Sequence, residues 1–282
     1  MIKLFPIDTG YFKLDGGAMF GVVPKKMWNK LNPADEDNMC TWAMRCMLVD
    51  EGDRKILIDT GMGDNYSDKF KSHFHPHGTE TLKSSLAKHG YTPEDITDVL
   101  LTHFHFDHVG GNMEYDAQGK LVPRFPNATY WTNEKHYNWA IDPNPREHAS
   151  FIKDHFVPLR EMGMMEFIDV QHDIPFSKSI KLQFVYGHTE AMMIPIIDLG
   201  DKKIAYGADL LPSYGHISMP FVMCYDIRPL STLDEKAAFY DYILQEDIAV
   251  FLEHDKDHEC LKITKNDRGR YVLDKTFSLD QF

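Results

Sequence analysis

The stretch Thr102-His103-Phe104-His105-Phe106-Asp107-His108-Val109-Gly110-Gly111 decides the interpretation of this chain. Four side chains that can bind a metal fall within six positions of it: His103, His105, Asp107 and His108. The apolar run Val99-Leu100-Leu101 just before it predicts a buried strand. Alternation of large aromatic rings with imidazoles is a poor pattern for an exposed polar loop. We therefore interpret the stretch as part of a metal site.

The spacing predicts how these side chains are arranged. In an extended segment alternate side chains share a side, so His103, His105 and Asp107 should converge while the phenylalanines pack the other way. His108 should then turn back where Val109-Gly110-Gly111 breaks the strand.

The chemistry of the four side chains favours two metal ions. Imidazole and carboxylate groups suit borderline-soft divalent metals such as zinc, and no cysteine stands nearby. Four ligands within six residues cannot all close on one ion without strain. They can be shared between two adjacent ions that distant residues complete.

Three residues further along the chain are candidates for completing such a site: His188, Asp209 and His254. Each follows an apolar run that predicts a strand, as Phe184-Val185-Tyr186 does before His188. Side chains just past the ends of strands lie at a sheet rim, where loops gather on a rigid support. All three could therefore meet at one edge.

The order and spacing of these seven residues resemble the dinuclear hydrolases of the metallo-β-lactamase superfamily. The resemblance implies an α/β (α+β) fold, an αββα sandwich of two mixed β-sheets flanked by helices, with residues 1–282 as a single domain. The order of strands, helices, strands and helices that the sequence predicts agrees with it.

The resemblance also implies roles for the residues. His103, His105 and His188 would hold one divalent ion, Asp107, His108 and His254 the other, and Asp209 would bridge them. Two zinc ions per chain are expected, with a hydroxide between them as nucleophile. Asp107 would have a catalytic role as well, carrying a proton to the departing alkoxide. Asp59 would orient the histidines rather than bind metal.

The segment Asp15–Lys25 resembles the N-terminal segment of YtnP-type quorum-quenching lactonases, although a hairpin with an apolar tip explains it equally well. A small neutral ester or lactone, of the N-acyl homoserine lactone type, is the expected substrate. A phosphotriesterase or arylesterase remains open, as does a metal-binding protein without turnover. Some superfamily lactonases carry a tyrosine where this chain has Pro212, so either Tyr214 or Tyr225 replaces it or its role is absent. Some of the 15 methionines could line an acyl pocket.

The composition excludes several partners. A net charge of −13, from 43 acidic and 30 basic residues, argues against nucleic acid. No apolar run approaches the roughly 20 residues that span a bilayer, and no signal-peptide core is present, so no membrane and a cytoplasmic location are expected. The four scattered cysteines predict thiols. The apolar N-terminal hairpin could support a homodimer.

Several elements are predicted individually. A hairpin should turn at Glu51-Gly52-Asp53, and a helix should begin at Thr79 as N-cap and end near His89. The histidine-rich segment His73–His77 should be an exposed loop. Further helices are expected at 133–141, 147–162 and 232–245, and strands at 129–131, 173–185 and 192–198.

Overall fold

A computed structural model describes residues 2–171 and 173–282 of the protein. The strands are β1 (Lys3–Asp15), β2 (Met39–Asp50), β3 (Lys55–Ile58), β4 (Asp98–Leu100), β5 (Met113–Tyr115), β6 (Leu121–Pro123), β7 (Thr129–Thr132), β8 (Met165–Phe167), β9 (Ile174–Pro175), β10 (Ile180–Val185), β11 (Met192–Asp198), β12 (Lys203–Tyr206), β13 (Ala249–Phe251), β14 (Cys260–Lys265) and β15 (Tyr271–Phe277).

The α-helices are α1 (Gly16–Phe20), α2 (Lys25–Trp28), α3 (Asp68–Phe74), α4 (Leu82–Lys88), α5 (Phe106–Val109), α6 (Glu134–Ile141), α7 (Val157–Glu161) and α8 (Pro229–Gln245). Short 3₁₀ helices are found at Pro93–Asp95, Gly110–Asn112, Lys153–His155, Tyr214–His216 and Leu279–Gln281. Within the described ranges, no helix combines the length and apolar character needed to cross a membrane.

The chain divides into two compact units. The first consists of Met1–Gly10 and Met44–Ile174, and the second of Tyr11–Ala43 and Pro175–Phe282. One sheet has the strand order β1-β2-β3-β4-β7-β8, another the order β15-β14-β13-β12-β11-β10-β9, and β5 pairs with β6 in a small third sheet. Both large sheets mix parallel and antiparallel neighbours. The prediction of mixed sheets with helices is confirmed; the single-domain interpretation stays a prediction.

In the first unit, three parallel strands deliver polar residues to one sheet edge. β3, β4 and β7 run parallel in adjacent positions, with Ile58 opposite Leu100 and Leu100 opposite Trp131. Parallel neighbours end at the same edge, so the residues that follow them gather there. Asp59 follows β3, and the ligand-bearing stretch follows β4.

In the second unit, too, strands that run in one direction end at the same edge of the sheet. β12 and β13 are parallel, and β10 runs in their direction because β11 is antiparallel to both β10 and β12. The carboxyl ends of β10, β12 and β13 therefore lie at one edge of the sheet. His188, Asp209 and His254 each follow one of these ends within a few residues, as the sequence predicts.

The N-terminal region differs from the predicted hairpin. It forms the single strand β1, and the chain then enters helix α1. The Asp15 side chain accepts a hydrogen bond from the Ala18 backbone N–H at 2.8 Å and so caps the helix. A side chain at Gly16 would meet the Trp28 ring 2.3 Å away, so only glycine fits there. The hairpin on which the homodimer prediction rested is therefore absent from the described residues.

Other boundaries are also corrected. Helix α4 begins at Leu82, because Thr81 and not Thr79 forms a capping box with Ser84. The helix predicted over 147–162 is limited to Val157–Glu161, after a 3₁₀ turn at Lys153–His155. The predicted hairpin between β2 and β3 is confirmed, with Asp50 opposite Lys55.

The capping box of α4 can be tested by substitution. Thr81→Ala removes the side-chain oxygen that accepts from the Ser84 N–H at 3.1 Å, so it should lower the free energy of unfolding by about 1 kcal/mol. Thr79→Ala, at an exposed position outside the helix, should change it by less than about 0.5 kcal/mol. Urea unfolding of both variants measures the difference. A larger loss for Thr79→Ala would mean that the helix begins where the sequence pattern places it.

Candidate metal centre

The first unit brings two predicted ligands face to face. His103 Nε2 and His105 Nδ1 lie 3.1 Å apart, and both side chains are buried. Two ligands of one tetrahedral zinc ion, with bonds of about 2.0–2.1 Å, stand roughly 3.3 Å apart. The pair therefore has the separation of two ligands to one ion. His103 turns Nε2 toward its neighbour and His105 turns Nδ1; we call these the inward nitrogens and the other nitrogen of each ring the outward one.

Acceptors hold the outward nitrogens of this unit's histidines. Thr102 Oγ1 donates to Asp59 Oδ2 at 2.7 Å, which leaves its lone pairs to accept from His103 Nδ1 at 3.1 Å. Asp59 Oδ2 also lies 3.2 Å from His108 Nδ1. A hydrogen bond to one ring nitrogen fixes the proton there and leaves the other nitrogen available to a metal. Asp59 thus has the orienting position predicted for it.

The ligand stretch is not extended throughout. After His105 the backbone enters helix α5, so Asp107 and His108 lie in its first turn instead of continuing the alternation. Asp107 Oδ2 is 3.8 Å from His108 Nε2. The turn places both side chains on the same short helix, which replaces the predicted strand break at Val109-Gly110-Gly111.

The two glycines after α5 allow a close approach of backbones. A Cβ at Gly110 would lie 1.7 Å from the Met62 carbonyl oxygen, and one at Gly111 would lie 2.2 Å from the Thr60 carbonyl oxygen. Neither backbone can accommodate a methyl group at those distances. The glycines therefore let the ligand helix dock directly on the loop that follows Asp59.

In the second unit, Asp209 has a different histidine beside each of its oxygens. Asp209 Oδ2 is 2.9 Å from His188 Nε2, and Oδ1 is 3.1 Å from His254 Nε2. All three side chains are buried. A carboxylate that faces two ligand nitrogens with separate oxygens is suited to bridging two cations.

The outward nitrogens of these histidines also have acceptors. His188 Nδ1 is 2.9 Å from Asp226 Oδ1, and His254 Nδ1 is 2.8 Å from the Ala43 carbonyl oxygen. Burial opposes protonation of His188, but the carboxylates of Asp209 and Asp226 raise its pKa to about 10. The pocket around this ring therefore attracts positive charge, which a metal ion at Nε2 would supply.

The donor set in each unit fits divalent metal ions. The described donors are imidazole nitrogens and carboxylate oxygens, and His103, His108, His188 and His254 each direct one nitrogen at an acceptor and the other toward further ligand atoms. Asp226 is a residue that the sequence analysis missed. It lies in an irregular segment, 38 positions from its histidine, with no pattern to mark it.

Other sequence predictions have mixed outcomes. His73, His75 and His77 are exposed, as predicted, but His73 belongs to helix α3 and His75 caps its end. The Tyr214 hydroxyl donates to the Leu31 carbonyl at 3.1 Å, a structural bond. Met192 and Met193 are fully buried in β11, so they belong to the core and not to an acyl pocket.

Lys236 is a second residue that the sequence analysis missed. It is 1% exposed on helix α8, and its ammonium group donates to the carbonyl oxygens of Ser218 and Phe221 at 3.1 and 3.0 Å. It lines the same small cavity as Asp209 and Asp226. Burial lowers the pKa of Lys236 to about 7, against the opposing charge of Asp226.

This lysine predicts a pH dependence of stability. Between pH 7 and about pH 10 the unfolded chain holds the lysine proton and the folded chain does not, so the free energy of unfolding rises with pH. The contribution is on the order of 1 kcal/mol per pH unit. Lys236→Met removes the titrating group at similar volume. The difference in unfolding free energy, wild type minus Lys236→Met, should grow from pH 7 to pH 9; a constant difference would contradict the lowered pKa.

Comparison with known proteins places this arrangement in a family. Residues 45–253 match the model of the metallo-beta-lactamase superfamily. An N-acyl homoserine lactonase from a Bacillus species is 23% identical over 270 residues, covering 91% of this chain and 94% of that protein. The N-acyl homoserine lactonase of Bacillus cereus is 29% identical over 152 residues, and the match spans only 56% of its length and 50% of this chain.

Solved structures agree on the fold. A probable metal-dependent hydrolase from Staphylococcus aureus has a TM-score of 0.85 at 27% identity, covering 98% of both chains. AidC, a dizinc quorum-quenching lactonase solved with the product N-hexnoyl-L-homoserine, has a TM-score of 0.79 at 21% identity, covering 98% of this chain and 95% of its own. The chain therefore belongs to the metallo-beta-lactamase superfamily and has the fold of that superfamily.

Proposed function

We propose that the protein opens lactones of the N-acyl homoserine type, using two divalent metal ions. The observation that carries the proposal is the assignment of ring nitrogens. His103, His108, His188 and His254 each have their outward nitrogen at an acceptor, which reserves the other for a metal.

The proposed ligands are those expected from the sequence: His103, His105 and His188 for one ion, Asp107, His108 and His254 for the other, and Asp209 for both. Zinc is the proposed metal, because it is commonly bound by such nitrogen and oxygen donors. When bound, two such ions lower the pKa of water, polarise an ester carbonyl and stabilise a departing oxygen. Hydrolysis then requires no serine or cysteine nucleophile.

Asp107 is the proposed proton carrier. Its side chain lies in the first turn of α5, beside His108, and is only 8% exposed. A carboxylate at the edge of the ligand cluster can accept a proton during attack and deliver it to the leaving alkoxide. In a lactone the alkoxide stays tethered to the acyl group, so a single positioned acid can reach it.

An aromatic surface next to Asp107 supports an apolar acyl group in the substrate. The rings of Tyr66 and Phe70 are stacked, with their centroids 4.4 Å apart. The Phe70 and Phe74 rings both pack against the Phe106 ring, at centroid distances of 5.1 and 4.6 Å. Tyr66, Phe70 and Phe74 are only half-buried, and α3 contributes no fully buried residue. We name Tyr66, Phe70, Phe74 and Phe106 the aromatic surface. It offers apolar contact area directly beside the proposed proton carrier.

The aromatic surface is fixed to the ligand stretch by a hydrogen bond. The Tyr66 hydroxyl donates to the Phe106 carbonyl oxygen at 3.1 Å. Burial, with the nearby charge of Asp107, holds the pKa of Tyr66 well above its usual value, so the hydroxyl stays a donor at neutral pH. The segment that leads into helix α3 is therefore tied to the main chain at Phe106.

The metal content is the first test. Purified protein should contain close to two divalent ions per chain, and chelation should abolish hydrolysis until metal is restored. Asp209→Ala should lower the content to one ion or fewer, because it removes a carboxylate that faces two ligand histidines. Asp201→Ala, at an exposed position in a turn, is the control and should keep both ions. Elemental analysis of the three proteins decides the point; a fully active protein with one ion or none would end the dinuclear proposal.

The substrate is the second test. kcat/KM on N-acyl homoserine lactones should increase with acyl length, by at most about fourfold per methylene, as apolar area is buried. Phe70→Ala and Phe74→Ala should flatten this increase while leaving short-chain lactones nearly unaffected. Phe167→Ala, which removes a half-buried ring packed on Arg160, is the matched control and should keep the wild-type slope.

The same measurements separate the alternatives. If paraoxon-type triesters or aryl esters are hydrolysed tenfold or more better than any lactone, the phosphotriesterase or arylesterase interpretation replaces this one. Protein that binds two metals and hydrolyses none of the three classes would be a metal-binding protein without turnover. A lactonase without any dependence on acyl length would remove only the role of the aromatic surface.

A further inference from the structure

Glu147 is a buried carboxylate that neither the ligand set nor the proton-transfer role uses. We infer that Glu147 is a positioning residue that holds His105 in the tautomer needed for metal binding. The inference rests on the proposed metal-binding role of His105. It assigns Glu147 to the site although Glu147 binds no metal itself.

The carboxylate of Glu147 is held from one side. Its Oε2 accepts a hydrogen bond from Trp139 Nε1 at 2.8 Å and another from Asn144 Nδ2. The Glu147 backbone N–H donates to Asn144 Oδ1 at 3.2 Å, within a turn that follows helix α6. Glu147 is 3% exposed. With one oxygen fixed by two donors, the direction of the other oxygen is determined.

That other oxygen faces His105. Glu147 Oε1 lies 3.6 Å from His105 Nε2, while His105 Nδ1 faces His103 Nε2 at 3.1 Å. A shift of roughly half an ångström would bring Oε1 and Nε2 to hydrogen-bond distance. His105 therefore stands between a ligand partner on one nitrogen and a carboxylate on the other.

His105 differs from His103 in the ring nitrogen that faces the neighbouring ring. His103 presents Nε2, whereas His105 presents Nδ1, so binding a metal at that nitrogen requires the His105 proton on Nε2. The neutral histidine side chain has only a modest intrinsic preference for this tautomer. A carboxylate that accepts from Nε2–H strengthens the preference, fixes the ring orientation and makes Nδ1 a better electron-pair donor.

Electrostatics point to the same role. A buried carboxylate is costly unless it is hydrogen-bonded and placed near positive charge. The two donors to Oε2, the Trp139 indole and the Asn144 amide, are neutral. A metal ion bound at Nδ1 makes the His105 ring more positive, which stabilises the carboxylate behind it.

A proline-containing turn after helix α6 positions Glu147. The Asp142-Pro143-Asn144-Pro145 segment ends α6 and prevents the helix from continuing, because proline lacks a backbone N–H and restricts the residue before it. The Asn144 side chain then accepts from the Arg146 N–H at 2.9 Å and donates to Glu147. The break between the two predicted helices thus forms a turn that directs Glu147 toward His105.

The test is Glu147→Gln. The amide keeps the size of the side chain but has only one acceptor oxygen. If that oxygen stays with Trp139 and Asn144, the NH₂ group faces His105 Nε2 and disfavours a proton there. The zinc affinity of the apoprotein, measured by competition with a chromophoric chelator, should fall about 10- to 100-fold for the ion that uses His105. Glu166→Gln, at an exposed position of β8, is the control and should keep the wild-type affinity.

A second readout does not depend on any variant folding well. In zinc-loaded wild-type protein with ¹⁵N-labelled histidine, NMR should show the His105 proton on Nε2 and slow exchange of that proton with water. A proton on Nδ1 would overturn the inference, as would a folded Glu147→Gln protein whose zinc affinity is within twofold of wild type. Wild-type protein that fails to bind zinc would instead reject the proposed function, so the two failures are distinguishable.

Discussion

In the proposed metal centre each histidine must present an unprotonated nitrogen to its ion, and this requirement accounts for the polar partners of the histidines in both units. An imidazole ring can put its single proton on either nitrogen, so an unconstrained ring spends part of its time in the wrong state. The chain removes that freedom with acceptors of different kinds: a hydroxyl for His103, carboxylates for His108 and His188, and a backbone carbonyl for His254. Much of the buried polar network near the ligands serves this purpose.

The sheets explain how ligands and acceptors reach the same place. Asp59 and the ligand stretch leave adjacent parallel strands, and the Asp59 carboxylate takes hydrogen bonds from the Thr102 backbone at 2.8 Å and its hydroxyl at 2.7 Å. Asp59 has a positive φ of 57°, a conformation that costs free energy for a residue other than glycine. The hydrogen bonds of its carboxylate offset this cost and fix its direction.

The sequence predicts those site residues that lie in a compact motif or directly after a strand, and it misses those that stand alone in irregular segments. His103, His105, Asp107 and His108 form one motif, and His188, Asp209 and His254 each follow a recognisable strand, so pattern and resemblance were enough to propose all seven. Asp226 and Glu147 contact ligand histidines 38 and 42 positions away from irregular segments, where no periodicity marks a residue. Helix starts were misplaced where two threonines competed as caps, and the N-terminal helix was missed because a single Asp15 side chain starts it.

Helix α3 has a consequence for how this protein could change its substrates over time. None of its residues is fully buried, and its aromatic rings pack on Phe106 and on one another rather than in the core. Substitutions there forfeit little of the stability of the fold, whereas substitutions around Gly110 or Asp59 would disturb the ligands. In the proposed lactonase, residues of α3 could therefore vary with less effect on the proposed ligands than residues around Gly110 or Asp59. Selection could explore new acyl groups, or larger esters, by changing residues of this helix, none of which is fully buried.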